Sequence, residues 1–359
     1  MLAIGLMSGT SLDGIDAALI ESDGVTVAAR LGGVTTPYDM PFRDCLRACL
    51  GARERSAEIR IVEMELTERH AEAVTLLLKE LSVSQDAIDL IGFHGHTITH
   101  DPARKFTWQL GAGSDLAKRV GIDVVADFRS ADVASGGEGA PLAPAYHAAL
   151  ARGLGRSFAV LNLGGVANVT WVGEGDQLLA FDTGPANALI DDWVAERTGK
   201  DFDKDGEIAA TGQVDAAGLA SLLENEFFSR PSPKSLDRNE FNIAALQGLS
   251  LEDGAATLSA FTVESVVLAL GQFPNPPTRM VVTGGGRHNA YVMELLAEAV
   301  PMPVEPVEAV GWNGDLLEAE AFGYLAIRSV LGLPFSWPAT TGVKTPLSGG
   351  QFFSKATRD

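Results

Sequence analysis

Short apolar runs that stop at glycine alternate with longer stretches in which apolar residues recur at helical spacing. A short apolar run closed by a turn residue reads as a strand, and an i, i+3, i+4 recurrence reads as an amphipathic helix. On this basis strands are expected at 2–7, 15–21, 88–93, 106–110, 122–126, 158–163, 167–172, 178–181 and 279–283. Helices are expected at 41–51, 57–80, 114–120, 142–152, 186–198, 215–224, 252–271, 288–299 and 315–331. Within 57–80, Ile61, Met64, Leu66, Ala73 and Leu77, continued by Leu81, recur at helical spacing against a charged opposite face. The 229–240 stretch, SRPSPKSLDRNE, reads as loop, and 332–348 as an extended tail. Alternating strands and helices point to an α/β architecture with helix-covered sheets. LAIGLMSGTSLDGIDAALIE and FAVLNLGGVANVTWV both read strand, glycine turn, strand. This echo raises the expectation of two related domains whose turns point into one cleft, against the alternative of two unrelated hairpins.

Composition narrows the function classes. Of 359 residues, 46% are hydrophobic and 21% charged, which is ordinary for a folded protein. The formal net charge is −20. So acidic a surface repels polyanions at long range and argues against a nucleic-acid or anionic-membrane binder. An anionic small ligand in a donor-rich pocket stays open. No run of 18 apolar residues is present, so no membrane span is expected. The N-terminal MLAIGLMSGTSLDGID lacks a basic start and reads as strand and turn rather than signal peptide. The two cysteines, Cys45 and Cys49, lie one helical turn apart and read as a core-facing thiol pair in a reducing cytoplasm.

Four segments carry candidate chemistry. Met7 to Asp16 (MSGTSLDGID) places glycines and hydroxyls in a turn, where backbone approaches a phosphate closely. It matches neither a Walker A loop nor a GxGxxG fingerprint. Asp13 and Asp16 beside such a loop suit a magnesium ion held through water, or simple solvation. Val281 to Asn289 (VVTGGGRHN) runs an apolar strand into three glycines and a helix, a surface on which a nucleotide can lie flat. Ala180 to Asn187 (AFDTGPAN) reads as a strand delivering Asp182 to its end, with Pro185 starting a helix. Asp182 is there either a general base or a helix cap. The fourth, Phe93 to Thr97 (FHGHT), is followed by His100, Gln109 and Asp127-Phe128-Arg129. Without a nearby Cys, a polar wall for a hydroxylated substrate is favoured over zinc. Arg129 is expected to fork onto a substrate carboxylate.

GLMSGTSLDGID, FHGHT, QLG, DFR, GGEGAPLAP, NLGGVANVT, FDTGPANALIDDW, FDKDG, TGGGRHN and GDLLEAEAFGYLA occur in the order and spacing of the anhydro-N-acetylmuramic acid kinase family, which the chain resembles from about residue 4 to residue 350. The resemblance implies a two-domain actin-like (ribonuclease H-like) sugar-kinase fold of the α/β class. Its domains would be 1–130 with 335–359, and 131–334. It implies ATP and 1,6-anhydro-N-acetylmuramic acid as substrates, Mg2+, a homodimer, and a cytoplasmic role in cell-wall recycling. Asp182 matches the family's catalytic base. Gly9, Thr10, Ser11, Leu12, Asp13, Gly14, Ile15 and Asp16 match the first ATP phosphate segment, with Asp13 as a metal residue through water and the nearer of Asp13 and Asp16 left open. Asn162, Gly164 and Gly165 match a second phosphate hairpin, and Gly284, Gly285 and Gly286 would face the adenosine. His94, Thr97, Gln109, Arg129 and Glu318 fall in the sugar pocket of the family. Two departures occur: His96 stands where relatives often carry Gln, and Ala186 where many carry Gly. An actin-like nucleotide-binding module without sugar turnover, and a kinase of an unbridged amino sugar, are the competing readings.

Overall fold

Three strands open the chain: β1 (Leu2–Ser8), β2 (Gly14–Ser22) and β3 (Val27–Pro37) pair antiparallel in sequence order. Then come α1 (Met40–Cys49), α2 (Ala57–Glu80), β4 (Leu90–Asp101), β5 (Phe106–Leu110), α3 (Gly113–Val120), β6 (Val124–Ala126), α4 (Ser130–Ala134) and α5 (Pro144–Ala151). The second half holds β7 (Phe158–Leu163), β8 (Val166–Val172), β9 (Leu178–Pro185), α6 (Asn187–Thr198), α7 (Ala216–Leu223), α8 (Leu251–Leu270), β10 (Arg279–Thr283), α9 (Ala290–Ala299) and β11 (Val304–Pro306). Helix α10 (Leu317–Val330) and strand β12 (Gln351–Phe353) complete it. The computed structural model describes all residues except 10, 155–156, 176, 237–239 and 357–359. It divides into one unit of Met1–Leu150 with Leu316–Asp359 and another of Ala151–Asp315.

The first unit carries a sheet in the order β12-β6-β4-β1-β2-β3, with β5 added to β4. β4 runs parallel to β1, and β6 parallel to β4. The second unit carries the order β11-β10-β7-β8-β9, again an antiparallel meander whose first strand is flanked on its other side by parallel strands. Both units therefore repeat one plan: third, second, first, fourth, fifth. The echo between the two glycine hairpins is a duplicated topology, and the fold is of the α/β class. In each unit the first strand has its sequence neighbour on one side and a parallel crossover strand on the other. The carboxyl ends of those strands are where ligands of open α/β sheets bind. Ser8 pairs with His96 there in the first unit, and Asn162 with Thr283 in the second.

The unit boundaries differ from the expected 1–130 with 335–359. The last helix, expected in the C-terminal domain, packs on β1, β2 and β4 of the first unit. Glycines make this possible. A Cβ on Gly5 would collide with the Ala319 carbonyl, and one on Gly92 with that of Phe322, so backbone meets backbone with nothing between. Strand β3 was not expected. Its burial pattern is half-exposed throughout, so it lacks the clean alternation that marks a strand. β4 runs on to Asp101 because β5 pairs with its polar second half. In α2 the buried stripe is Ile59, Val62, Leu66, Ala73, Val74 and Leu77. Ile61 and Met64, expected on it, are 65% and 59% exposed, because at about 100° per residue they fall on the opposite side. Of the two thiols only Cys49 is buried; Cys45 is exposed, and both are free. Helix α8 is long and apolar enough to cross a membrane by composition, but 67% of that window is buried inside the protein.

Candidate active site

In the first unit the turn between β1 and β2 is closed by Leu12 N–H donating to Gly9 O at 3.1 Å. Leu12 takes a left-handed φ of 59° and buries its side chain, which anchors the turn from below. Asp13 is exposed and accepts from Ser11 Oγ at 2.7 Å. Asp16 sits back in β2, opposite Met7, and accepts from Thr35 Oγ1 at 2.5 Å. The two carboxylates thus differ in place: one at the tip, one tied to the sheet. Gly14 and Ile15 are buried in β2. Gly14 has no room for a Cβ against the Thr36 carbonyl of β3. Thr10 lies outside the described residues. Beneath the turn, Ser8 Oγ lies 2.7 Å from Tyr38 Oη and 3.0 Å from His96 Nδ1. Burial pushes the His96 imidazole down to about 4 and the Tyr38 phenol well above its ordinary value.

The same unit builds the polar wall. His94 is buried and its Nδ1 lies 2.9 Å from Gly95 O. Arg129 donates to His94 Nε2 from Nε and from a terminal NH2, both at 3.1 Å, and from its other terminal nitrogen to Gly139 O at 2.7 Å. Arginine cannot accept, so Nε2 is the acceptor and His94 is the neutral Nδ1–H tautomer. Burial and then the Arg129 charge hold its pKa well below the ordinary value. The guanidinium expected to reach a substrate carboxylate is engaged by the protein instead. It still carries an uncommon charge: burial brings it down to about 10, opposed by Glu318 and Asp132. Glu318 itself is exposed at the start of α10. Thr97 and Gln109 pair across β4 and β5, with Gln109 Nε2 donating to Thr97 Oγ1 at 3.3 Å and Thr107 Oγ1 at 2.8 Å. His94 and Gln109 open onto a cavity of about 440 Å3 that also reaches Trp108, Ser114 and Asp127. The three neighbouring imidazoles take separate partners: Gly95 O and Arg129, Ser8, and Thr107 with Glu138 O for His100.

In the second unit three motifs converge. Gly284 has φ 78°, and a Cβ there would collide with Asn162 Oδ1 and lie 2.6 Å from Leu163 O. Asn187 donates Nδ2 to Leu163 O at 2.9 Å, and the N–H groups of Ala186 and Asn187 donate to Gly165 O and Gly164 O, each at 3.0 Å. Asn162, Gly164, Gly165, Gly284 and Gly286 therefore form one cluster with Asn187, while Gly285 stays exposed. Asn187 lies within AFDTGPAN, and its position two residues after the Gly184-Pro185 pair gives no hint of a bond back to β7. The helix after the glycines begins later than expected. A short turn, Gly285–His288, comes first, and Asn289 Oδ1 caps α9 by accepting from Val292 N–H at 3.0 Å. Arg287, buried, fastens the turn by donating to Gly284 O, Glu308 and Asp315.

Asp182 lies within β9, not at its end, and Pro185 is the last residue of the strand. The helix that follows has Ala186 at its cap position with no side-chain cap, so Asp182 is not a capping residue. The pairing of β8 with β9 shifts between Ala167 and Asn168, leaving Thr183 as the extra residue. Such a bulge re-aims the neighbouring side chain. On the outer edge, Asp182 N–H donates to Lys234 O at 2.9 Å and Asp182 Oδ2 accepts from Leu236 N–H at 2.8 Å. Lys234 and Leu236, from the loop expected at 229–240, thus cover this strand edge, while 237–239 lie outside the described residues.

A family model described as anhydro-N-acetylmuramic acid kinase matches residues 1–355. The chain belongs to the anhydro-N-acetylmuramic acid kinase family. Two relatives bearing that name come from Rhizorhabdus wittichii and Rhodospirillum rubrum. The first is 53% identical over 98% of each chain, and the second 52% identical over 99% of this chain and 95% of the relative. Among solved structures, component A of the (R)-2-hydroxyglutaryl-CoA dehydratase of Acidaminococcus fermentans overlaps 92% of this chain and 99% of its own, with TM-score 0.49 and 12% identity. Membership makes the chain a kinase, and the match extends over nearly its whole length.

Proposed function

We propose that the protein opens the internal bridge of 1,6-anhydro-N-acetylmuramic acid with water and transfers the terminal phosphoryl group of ATP to the freed 6-oxygen. Asp182 takes a proton from water as the water oxygen bonds to the anomeric carbon. The bond from that carbon to the 6-oxygen breaks, and the 6-oxygen attacks the terminal phosphorus, displacing ADP. This joins the base-assisted attack of an inverting glycoside hydrolysis to a phosphoryl transfer. The developing negative charge on the 6-oxygen is taken up by phosphorus, which lowers the need for a separate strong acid.

The reading is carried by Asp182: a half-buried carboxylate on a bulged strand edge, not used as a cap, with one oxygen fixed by a backbone N–H. Around it, the cluster of Asn162, Gly164, Gly165, Gly284 and Gly286 offers backbone without side chains for a nucleotide. In the first unit, Gly9 to Asp16 would take phosphate oxygens. Asp13, exposed at the tip, would hold a magnesium ion through water. Bound there, the ion neutralises phosphate charge, which matters for a protein of net charge −20. His94, Thr97, Gln109, Arg129 and Glu318 would line the sugar side. Arg129 acts there by holding His94 and the Gly139 loop rather than by a two-pronged grip on substrate. The free thiols of Cys45 and Cys49 fit a reducing cytoplasm, and the family expectation of a homodimer is retained.

The test is a reaction in isotopically labelled water with ATP and the bridged sugar, followed by mass analysis. Label at the anomeric carbon of a phosphorylated sugar is expected. Label confined to inorganic phosphate would identify plain ATP hydrolysis, and equal turnover of the unbridged sugar would identify an ordinary amino-sugar kinase.

A further inference from the structure

Tyr38 is buried between the end of β3 and the start of α1, and nothing in the proposed chemistry uses it. It meets the first glycine turn at both ends. Its backbone N–H donates to Asp13 O at 2.9 Å, on the far side of the turn. Its phenol oxygen lies 2.7 Å from Ser8 Oγ, on the near side. The bond from Leu12 N–H to Gly9 O closes the turn on itself, whereas the two bonds of Tyr38 tie its ends to another part of the unit. A hydroxyl has one proton and two lone pairs, so Ser8 can donate to one neighbour and accept from another. Its second neighbour is His96 Nδ1 at 3.0 Å, from the residue that pairs with Ser8 across β1 and β4. Ser8 Oγ is thus the meeting point of β1, β4 and the junction of β3 with α1.

Tyr38 is itself held from both directions along the chain. Pro37, just before it, pairs with Gly14 in the ladder of β2 and β3. Asp39, just after it, caps α1 by accepting from Phe42 N–H at 2.9 Å and also accepts from Arg69 at 2.7 Å. The Tyr38 ring meets the Phe42 ring near edge-on, with centroids 5.0 Å apart. A side chain fixed by a strand end, a helix cap and a ring contact has few other positions, which is what a supporting residue of a binding site requires. A phosphate turn binds through backbone N–H groups already aimed at the ligand. Its affinity falls in proportion to the time it spends in other shapes.

We propose that Tyr38 is a positioning residue for the nucleotide: by holding Ser8 through its phenol and Asp13 through its backbone N–H, it staples the two ends of the turn that would take phosphate oxygens. The proposal rests on the reading of Gly9 to Asp16 as a phosphate segment. Tyr38 acts through the turn and not on the phosphate itself. Tyr38→Phe keeps the ring against Phe42 and the backbone bond to Asp13, and deletes only the oxygen that reaches Ser8.

The experiment compares wild type, Tyr38→Phe, Ser8→Ala, the double variant and Gly9→Val. It measures the dissociation constant of ATP with Mg2+ by calorimetry, KM for the bridged sugar, and melting temperature. In Tyr38→Phe the dissociation constant for ATP is expected to rise roughly three- to tenfold, the scale of one hydrogen bond lost from the binding-competent form. KM for the sugar should stay within about twofold. Ser8→Ala should also weaken ATP, and the double variant should be no worse than the worse single, because both remove the same bond. If Tyr38→Phe lowers the melting temperature but leaves ATP affinity in place, raises both constants alike, or adds to Ser8→Ala, Tyr38 is a packing residue and the staple is wrong. Gly9 has room for a Cβ, which would meet only Ser11 Oγ at 3.3 Å, so Gly9→Val tests the turn rather than the fold. If Gly9→Val binds ATP as tightly as wild type, the phosphate reading of the turn itself fails, whatever Tyr38 does.

Discussion

Arg129 donates to His94 Nε2 from two of its nitrogens, both at 3.1 Å, which fixes a buried imidazole as a neutral acceptor beneath a half-buried cation. Removing the acceptor leaves the guanidinium with Gly139 O alone among these partners. His94→Ala is therefore expected to cost roughly 1–3 kcal/mol, the range for a stranded buried polar group. It should also raise KM for the sugar more than KM for ATP, because the Gly139 loop and β4 lose a common tie. Urea unfolding and initial-rate kinetics on the same preparation check both.

Acid should destabilise the protein earlier than its carboxylates would. Burial holds His70, His96 and His100 down to about 4 in the folded chain, against 6.5 for an unhindered imidazole. Between those values the unfolded chain binds protons that the folded chain does not. The stability these groups contribute is complete above about pH 6.5 and falls as pH drops toward 4. Each group in that window contributes a slope of up to about 1.4 kcal/mol per pH unit. Urea midpoints should be flat from pH 8 to 7 and decline steeply from 6.5 to 5. A midpoint unchanged down to pH 5 would contradict the buried, neutral assignment.

Asp182→Asn preserves the shape of the side chain and its bond from Leu236 N–H but removes the carboxylate proposed as the base. Turnover should fall by roughly 10²–10⁴, the contribution of a positioned general base. The dissociation constant for ATP, read by fluorescence or calorimetry, should not change.

Gly284→Ala places a methyl group against Asn162 Oδ1 and Leu163 O at a φ of 78°. The combined strain and clash should cost on the order of 1–3 kcal/mol. Nucleotide binding should weaken more than sugar binding, because the displaced turn belongs to the cluster proposed to hold the nucleotide. Thermal unfolding with and without ATP separates the two effects.

Much of this was legible in the order of residues. Glycine after an apolar run marked the turns after β1, β7 and β10, since only glycine leaves the backbone open there. The hairpin echo became a shared strand order in both units. What could not be read was the partner of each polar group. Asp182 looked like a strand-end residue and possible cap, whereas Leu236, far along the chain, holds it. Arg129 looked like a free fork, whereas His94 and Gly139 occupy it. Ile61 and Met64 matched a helical spacing, but so did the true stripe, and periodicity alone does not rank two overlapping faces.

The sequence alone determined the α/β class and the glycine turns, because these follow from local backbone freedom and the spacing of apolar residues, and it determined the family through the order of its motifs. Tertiary structure alone decided that α10 belongs with the first unit, that Asp182 is fixed from outside its own strand, and which imidazole nitrogen accepts. Those outcomes depend on hydrogen bonds and close packing between segments distant along the chain, and no local pattern encodes the partner of a buried polar atom.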